Sequence, residues 1–337
     1  MEVFKILNGY DAHALHFVYH RPSHLRAIIA IDSVVDGRAI GGIRCKDYDS
    51  EADAIDDACE LARAMSFKAA VNRLPCGGAK AVIYKHPNMK RAPAFQALGR
   101  AIERLDGLYH SGLDVGTTMA DLANVAKETR HVSHALDFGK HTARGVLGAI
   151  KAAVKFRLGL NNVREVRVAI QGLGSVGMEL ASQLHRAGAR LVVADTQRKL
   201  TQFARKRFEA DVVSPERIMQ EPCDVFAPCA LGDILSPATV KKLSCEIIAG
   251  SANNVLTDSA VAQDLAEEGI AYVPDFVASA GALIIGATEI AHGKARARAE
   301  LADSVYDTTL DVLRTAKKRG ISTLQAAETI AAKALNR

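Results

Sequence analysis

The chain has 337 residues, of which 49% are hydrophobic and 24% charged, and its formal net charge is +5. A chain of this length suits about two domains, and its composition is that of an ordinary globular protein. Because acidic and basic residues are intermixed along the chain, no continuous basic surface predicts nucleic-acid binding.

Three features predict a cytoplasmic protein without a membrane anchor. The first residues, MEVFKILNGYDAH, lack the basic start and apolar core of a signal peptide. No apolar run reaches the roughly 18 residues that a membrane helix needs. The cysteines are scattered without a CxxC pair, which favours reduced thiols over a disulfide framework and predicts no metal site.

The first third of the chain alternates predicted strands with predicted helices. The apolar segment LRAIIAIDSVV ends at an Asp-Gly turn signal and predicts a strand. Ser50 and Asp53 form a Ser-x-x-acid capping pattern, so a helix begins there, with apolar residues at helical spacing as far as Met65. A strand over 79–85, a helix over 93–105 and a strand entering the loop GLDVGTT follow.

A polar, histidine-bearing segment over 131–144 is interpreted as a linker, and a helix is predicted from Gly145. Beyond it, strands and helices alternate, beginning with the strand EVRVAIQ, and Ser-Pro pairs at 214–215 and 236–237 predict two helix starts. This alternation predicts a parallel, doubly wound sheet. From about residue 284 onward the chain is predicted to be helical.

The sequence GLGSVG lies between a predicted strand and a predicted helix, which is the context of a dinucleotide-binding loop. Gly172 permits the tight turn, Gly174 lets a pyrophosphate approach the backbone, and Gly177 allows close helix–sheet packing. Asp195 ends the next strand at the spacing expected for a ribose ligand, and its charge favours NAD over NADP. Ser175 and Val176 complete the predicted cofactor loop.

The stretch MSFKAAVNRLPCGGAK carries two lysines, Lys68 and Lys80. A lysine in apolar surroundings loses basicity, and the glycine pair before Lys80 lets a ligand come close, so Lys80 is a candidate base. Solvated surface positions are the alternative for both lysines. Asp114 follows a predicted strand, where an aspartate serves either as a turn residue or as a catalytic carboxylate.

Ordered motifs along nearly the whole chain make it resemble the glutamate/leucine/phenylalanine/valine dehydrogenase family. They are GGIR, YDSEADA, MSFKAA, GGAK, LDVGTT, TARGV, QGLGSVG, CDVFAPCALG, AGSANN and VPDFVASAG. The resemblance implies an α/β chain with a substrate-binding and oligomerisation domain over 1–135 and a Rossmann NAD-binding domain over 140–283. It also implies C-terminal helices over 284–337 that pack back on the first domain, and a homo-oligomer of two or more subunits.

The same resemblance implies the reversible, NAD-dependent oxidative deamination of an amino acid to a 2-oxo acid and ammonia. Lys68 would hold the substrate carboxylate, Lys80 would activate water, and Asp114 would exchange protons with the amino group. Further implied contacts are Gly41, Gly42 and Asn253 to the carboxylate, Thr142 to the nicotinamide, and Cys229, Ala230 and Asn254 along the cofactor.

The side-chain pocket implied by the resemblance is uncharged, which argues against a glutamate substrate, because an unpaired carboxylate in an apolar pocket is costly. Its expected residues are Ile40, Met65, Leu113, Leu283 and Gly286. Ile40 and Leu113 are expected to narrow the pocket and Gly286 to open it, which favours a branched-chain substrate. An aromatic one, phenylalanine or tryptophan, stays open.

Two departures from the family pattern leave a second hypothesis open. Ser279-Ala280-Gly281-Ala282 stands where the family usually has Asn-Ala-Gly-Gly, and Ile43 stands where a threonine is usual. A protein that binds NAD and an amino acid without turnover is therefore the alternative to an enzyme.

Overall fold

The structure, a computed structural model, describes residues 3–133, 137–293, 296 and 298–336. The chain divides into two compact units: the first comprises 1–136 with 286–291 and 334–337, and the second comprises 137–285 with 292–333. Residues 134–136, which include the predicted end of the first domain, lie outside the described residues.

The first unit contains a five-stranded mixed sheet with the order β1-β2-β4-β3-β5. The strands β3, β4 and β5 run parallel, whereas β2 is antiparallel to both β1 and β4. The parallel part therefore brings the carboxyl ends of three strands to one edge. The strands are β1 Ala14–His20, β2 Leu25–Ile31, β3 Ala39–Lys46, β4 Gly77–Tyr84 and β5 Tyr109–Leu113.

Helices cover both faces of this sheet. They are α1 Val3–Tyr10, α2 Glu51–Val71, α3 Arg91–Glu103 and α4 Met119–Val125. Apolar residues of α3 and α4 pack with Ile43 and Ala81 in one core cluster, while apolar residues of α2 pack with Val82 in another. The predicted start of α2 is confirmed, because the Ser50 side chain accepts a hydrogen bond from the backbone N–H of Asp53.

The glycine pairs of β3 and β4 are required by close backbone packing. A Cβ on Gly41 would lie 1.6 Å from the carbonyl oxygen of Ala79, and a Cβ on Gly78 would lie 2.0 Å from the backbone nitrogen of Ser66. Real side chains do not tolerate such distances, so glycine lets β3 approach β4 and lets α2 approach β4.

The second unit contains a six-stranded parallel sheet with the order β11-β10-β9-β6-β7-β8. Its order reverses at β6, which is the arrangement of a doubly wound dinucleotide-binding fold. The predicted parallel sheet is confirmed. The strands are β6 Arg167–Gln171, β7 Arg190–Ala194, β8 Asp211–Val212, β9 Val225–Pro228, β10 Ile247–Ile248 and β11 Ala271–Tyr272.

Two helix predictions in this unit differ from the structure. The helix predicted from Gly145 begins at Phe138, because the Asp137 side chain accepts from the N–H of Lys140 and caps it there. The Ser-Pro pair at 214–215 starts no helix; a turn leads instead to a short 3-10 helix, Ile218–Gln220. The helices are α5 Phe138–Leu158, α6 Ser175–Arg186, α7 Arg198–Phe208, α8 Pro237–Val240, α9 Val261–Glu267 and α10 Asp275–Ala278.

The C-terminal part is helical, as expected. It contains α11 Gly281–His292, α12 Val305–Arg319 and α13 Thr323–Leu335. Helix α12 packs against α5 and groups with the second unit, whereas the sequence led us to expect it on the first; only 286–291 and 334–337 group there. Over the described residues, none of these helices has the length and apolar character to span a membrane.

Candidate active site

Three charged side chains of the first unit meet at the parallel edge of its sheet. Lys80 Nζ lies 2.9 Å from Asp114 Oδ2, and Arg44 Nε donates to the same oxygen at 2.9 Å. The side chains of Lys80, Asp114 and Arg44 are only 6%, 15% and 17% exposed. One carboxylate oxygen therefore contacts two cationic side chains, and all three side chains are largely buried from solvent.

Strand register explains why these side chains meet. Ile40 pairs with Gly78, and Arg44 pairs with Val82, so alternate residues of β3 lie on the same face as Lys80. Strand β3 lies between β4 and β5, and Asp114 immediately follows β5. We call this side of the sheet the lysine face.

A second carboxylate supports the cluster from α2. Asp57 accepts hydrogen bonds from Arg44 at 3.1 and 3.3 Å and from the Tyr48 hydroxyl, and Lys46 Nζ lies 3.7 Å away. Arg44 therefore bridges Asp57 and Asp114. A guanidinium held between two carboxylates has little freedom to rotate, so Arg44 orients Asp114.

Burial and charge shift the pKa values of the cluster. Burial lowers the pKa of Lys80, Asp114 opposes the change, and Arg44 adds to it, so the net pKa lies below the ordinary lysine value. Burial raises the pKa of Asp114, but Lys80 and Arg44 outweigh it and hold that pKa below its ordinary value. A lysine of lowered pKa beside an ionised carboxylate is suited to proton transfer.

Other predicted residues of the first unit are placed around the lysine face. Lys68 is half-buried in the last turn of α2, and Met65 lies one turn earlier on that helix. Helix α2 covers the lysine face at Gly78, where its Ser66 backbone is closest. Ile40 and Gly42 are half-buried on the lysine face, whereas Gly41, which lies between them in the strand, is on the opposite face of the sheet.

The expected position of Leu113 in the side-chain pocket is corrected by the register. Leu113 pairs with Ile43, whose side chain is fully buried in the core on the opposite face, while Gly112 pairs with Gly42 on the lysine face. Since neighbours in a strand point to opposite sides, Gly112 and not Leu113 faces Lys80. The same register shows that the Ile43 departure lies in the core, away from the lysine face.

In the second unit, the glycine loop has the geometry expected of a dinucleotide site. Gly172 has φ +93°, and a Cβ there would lie 2.6 Å from the Cβ of Ala230. A Cβ on Gly177 would lie 2.0 Å from the carbonyl oxygen of Gly172, whereas one on Gly174 would meet no atom within 4 Å. The space over Gly174, at the N-terminus of α6, can therefore admit a phosphate group.

Several predicted cofactor residues surround this loop. Asp195 accepts hydrogen bonds from the backbone N–H groups of Leu173 and Gln197, each at 2.7 Å. The backbone N–H of Cys229 donates to Gln171 at 2.8 Å, which keeps Cys229 and Ala230 beside the loop. Ser175 and Val176 form the first turn of α6, so the structure brings these residues together.

The remaining predicted residues lie on other parts of the second unit and on α11. Thr142 is half-buried on α5, and Asn253 and Asn254 are exposed after β10, with Asn254 at φ +50° and its N–H bonded to Asp275. Leu283 and Gly286 both lie on α11; Leu283 groups with the second unit and Gly286 with the first.

Two charged residues that contact each other beside Lys80 and Asp114, Arg44 and Asp57, were not predicted from the sequence. Arg44 is part of the motif GGIR but was given no role. The available signal was its spacing, because Arg44 lies two residues after Gly42 and so shares its face in a strand. Asp57 carried no comparable signal, since its contact with Arg44 depends on how α2 packs.

Comparisons with known proteins agree with this geometry. A family model described as Glutamate/Leucine/Phenylalanine/Valine dehydrogenase matches residues 193–337, and that family's dimerisation-domain model matches 15–131. The chain is 40% identical to a leucine dehydrogenase of Bacillus cereus, over 98% of this chain and 93% of that protein. It is 37% identical to a valine dehydrogenase of Streptomyces coelicolor, over 96% of each. The crystal structure of L-tryptophan dehydrogenase from Nostoc punctiforme superposes with a TM-score of 0.87 at 35% identity, covering 99% of this chain and 98% of that one.

Proposed function

The chain belongs to the glutamate/leucine/phenylalanine/valine dehydrogenase family and is an amino-acid dehydrogenase, and from this premise we propose that it performs the NAD-dependent oxidative deamination of an apolar L-amino acid. The reaction is reversible and yields a 2-oxo acid and ammonia. The observation that carries the proposal is the buried contact of Lys80 with Asp114, which places a base of lowered pKa beside an ionised carboxylate.

Each residue of the lysine face has a distinct task in this proposal. Lys68 binds the substrate carboxylate, and Asp114 exchanges a proton with the amino group, because the amine must be neutral before its α-hydride departs. NAD, held by the residues around the glycine loop, would supply the acceptor for that hydride. Neutral Lys80 then takes a proton from the water that attacks the imine carbon, and ammonia leaves. Arg44 orients Asp114 and lowers its pKa, so that Asp114 is ionised when it accepts the proton of the amino group.

The cofactor is held, in this proposal, by the residues around the glycine loop. The N-terminus of α6 and the open space over Gly174 receive the pyrophosphate. Asp195 binds the ribose hydroxyls and repels a 2′-phosphate, which is why NAD is preferred to NADP. Thr142, Cys229, Ala230 and Asn254 contribute further contacts to the cofactor, whereas Asn253 is proposed to bind the substrate carboxylate.

Replacing Asp195 with alanine is expected to weaken NADH binding about 10–100-fold, because hydrogen bonds to a charged group contribute about 1.5–3 kcal/mol. Discrimination against NADPH should fall at the same time. Titration of NADH and NADPH by fluorescence measures both affinities.

The matched control is Asp258→Ala. Asp258 accepts from the N–H of Ala260 at 2.7 Å, just as Asp195 accepts from the N–H of Gln197, so both variants lose the same kind of turn bond. NADH affinity should be unchanged in the control. If Asp195→Ala bound NADH as tightly as the control does, the ribose role would be refuted.

The strand register changes the expected size of the pocket for the substrate side chain. The expectation of a branched-chain substrate rested on Leu113 narrowing the pocket, but Gly112 occupies the lysine face instead. With glycines at 112 and 286, Ile40 is the remaining residue expected to narrow the pocket. We therefore place an aromatic amino acid, phenylalanine or tryptophan, ahead of leucine and valine as the substrate.

A panel of L-amino acids, assayed for NADH and NADPH formation at alkaline pH, tests this proposal directly. We expect turnover with apolar side chains, higher kcat/KM for aromatic than for branched-chain substrates, and none with glutamate. Gly112→Ala adds a methyl group on the lysine face and should shift the aromatic-to-leucine ratio of kcat/KM about tenfold or more toward leucine.

Leu113→Ala is the control for this variant, because it changes the opposite face and should leave the ratio unchanged. A wild-type preference for leucine or valine would contradict the aromatic assignment. NADH binding without turnover on any substrate would instead support the hypothesis of a binding protein.

The assembly and location that we propose follow from the family. Residues 15–131 match the family's dimerisation domain, so we propose a homo-oligomer of two or more subunits. Its substrates are small molecules, and we propose a cytoplasmic location with no nucleic-acid or membrane partner.

A further inference from the structure

Two cysteines lie opposite each other at the amino ends of neighbouring strands in the second unit. Cys223 precedes β9 and Cys245 precedes β10. The backbone N–H of Cys223 donates to the carbonyl oxygen of Ser244 at 3.0 Å, and two residues further on Val225 pairs with Ile247. The two cysteines therefore occupy equivalent positions, each two residues before one of these paired residues of adjacent parallel strands.

The two side chains lie in the same part of the core. Both pack against the same core cluster, which includes Phe226 and Ile248, and both are half-buried. The two thiols influence each other's pKa. The cysteines in this pair are free thiols, not a disulfide.

The backbone spacing suits a covalent bond between them. Neighbouring strands lie about 4.7–4.9 Å apart, and disulfides join Cα atoms about 4.4–6.8 Å apart. The spacing of neighbouring strands therefore falls within the range of Cα separations that a disulfide joins.

The interaction of the two thiols makes them chemically unequal. It lowers the pKa of Cys245 and, together with burial, raises the pKa of Cys223. Because the thiolate is the nucleophile in thiol oxidation, Cys245 is the sulfur that reacts first, and Cys223 is positioned to react second.

We propose that Cys223 and Cys245 form a modification site at which a peroxide converts the two thiols into a reversible intramolecular disulfide. The Cys245 thiolate attacks one peroxide oxygen, the O–O bond breaks, and sulfenic acid and hydroxide form. The Cys223 sulfur then attacks the Cys245 sulfur, the S–O bond breaks, and water leaves with the Cys223 proton. The peroxide gains two electrons, and each sulfur loses one.

The site is separate from the proposed cofactor residues of the same strands. Cys229 and Asn254 follow the carboxyl ends of β9 and β10, whereas Cys223 and Cys245 precede the amino ends. The modification therefore does not depend on the proposed reaction, and it can be tested without measuring turnover.

The experiment treats the full-length protein with hydrogen peroxide, blocks free thiols with a maleimide, and maps peptides by mass spectrometry without reduction. We expect a peptide pair joined through Cys223 and Cys245 that is two hydrogens lighter than the separate peptides and disappears with dithiothreitol. Cys229, half-buried in the same unit and of raised pKa, is the internal comparison and should remain alkylated.

Two variants test the order of reaction. In Cys223→Ala, Cys245 should accumulate as sulfenic acid that dimedone labels, whereas in Cys245→Ala the remaining Cys223 should be labelled at least tenfold more slowly. Absence of the joined peptide, a link between subunits on a non-reducing gel, or oxidation of Cys229 at an equal rate would overturn the proposal. Equal labelling of the two variants would overturn the assignment of Cys245 as the first sulfur.

Discussion

Turnover of the Lys80→Ala variant should fall by about 10²–10⁴-fold, the range that a single general base contributes. The variant loses the group that accepts a proton from water, so kcat should fall much more than KM rises. NADH affinity should be retained, since the proposed cofactor residues lie in the second unit. Steady-state kinetics and NADH titration measure the two effects separately.

The fold of this variant should survive, because Asp114 keeps Arg44 as a partner at 2.9 Å when Lys80 is gone. Lys85→Ala is the matched control: Lys85 directly follows β4 and pairs with exposed Asp47, outside the cluster. The control should keep wild-type turnover. Near-normal turnover in Lys80→Ala, with an unchanged melting temperature, would show that the base is another residue.

Arg44→Gln should lower kcat about 10–100-fold near neutral pH, because it removes a charge-assisted hydrogen bond from Asp114. It should also move the pH dependence. Arg44 lowers the pKa of Lys80, so its loss raises that pKa. The proposed base must be neutral, and the rising, acidic limb of the kcat profile should therefore shift to higher pH.

The variant Arg44→Lys distinguishes the contribution of the positive charge of Arg44 from that of its planar guanidinium group. A lysine keeps the cation but cannot bridge Asp57 and Asp114 with a planar fork, so the pH limb should return toward the wild-type position while kcat recovers only in part. A pH–rate profile of both variants is the measurement.

Arg91→Gln controls for the loss of an arginine–aspartate pair as such. Arg91 binds Asp121 through two hydrogen bonds at 2.7 and 2.8 Å in the same unit, away from Lys80. Its loss should affect stability without shifting the pH profile. An identical profile in Arg44→Gln and the wild type would mean that Arg44 does not act through Lys80.

The electrostatics of the cluster explain why both effects should be large. Burying either cation without a partner would cost desolvation free energy. Asp114 is the anion that both cations contact. The positive charge of Arg44 disfavours the protonated form of Lys80, so removing Arg44 makes that form more favourable. The position of the base on the pH scale thus depends on a residue that need not touch the substrate.

Local signals in the sequence accounted for much of the second unit. The loop GLGSVG was predicted between a strand and a helix and is found between β6 and α6, because a glycine at positive φ and a helix start are properties of adjacent residues. The cap of α2 by Ser50 was predictable for the same reason. Capping also corrected the start of α5, where Asp137 was overlooked.

Strand β3 could not be predicted from local sequence signals. Its glycine pair weakens any strand pattern, and no strand was assigned to GGIRCK, although β3 lies inside the first sheet, between β4 and β5. Gly41 is explained by the approach of Ala79, and Gly42 by the approach of Leu113 and Asp114, all of them distant in sequence.

The sequence by itself determined the family, the two-unit α/β organisation, the glycine loop and the identities of Lys80 and Asp114, because short motifs record turns, caps and reactive groups. Only the tertiary structure decided that Arg44 and Lys80 both contact Asp114, and that Gly112 and not Leu113 lies on the lysine face. It also decided that Cys223 and Cys245 occupy neighbouring positions. Each of these depends on strand register, and a shift of one residue along a strand exchanges its two faces.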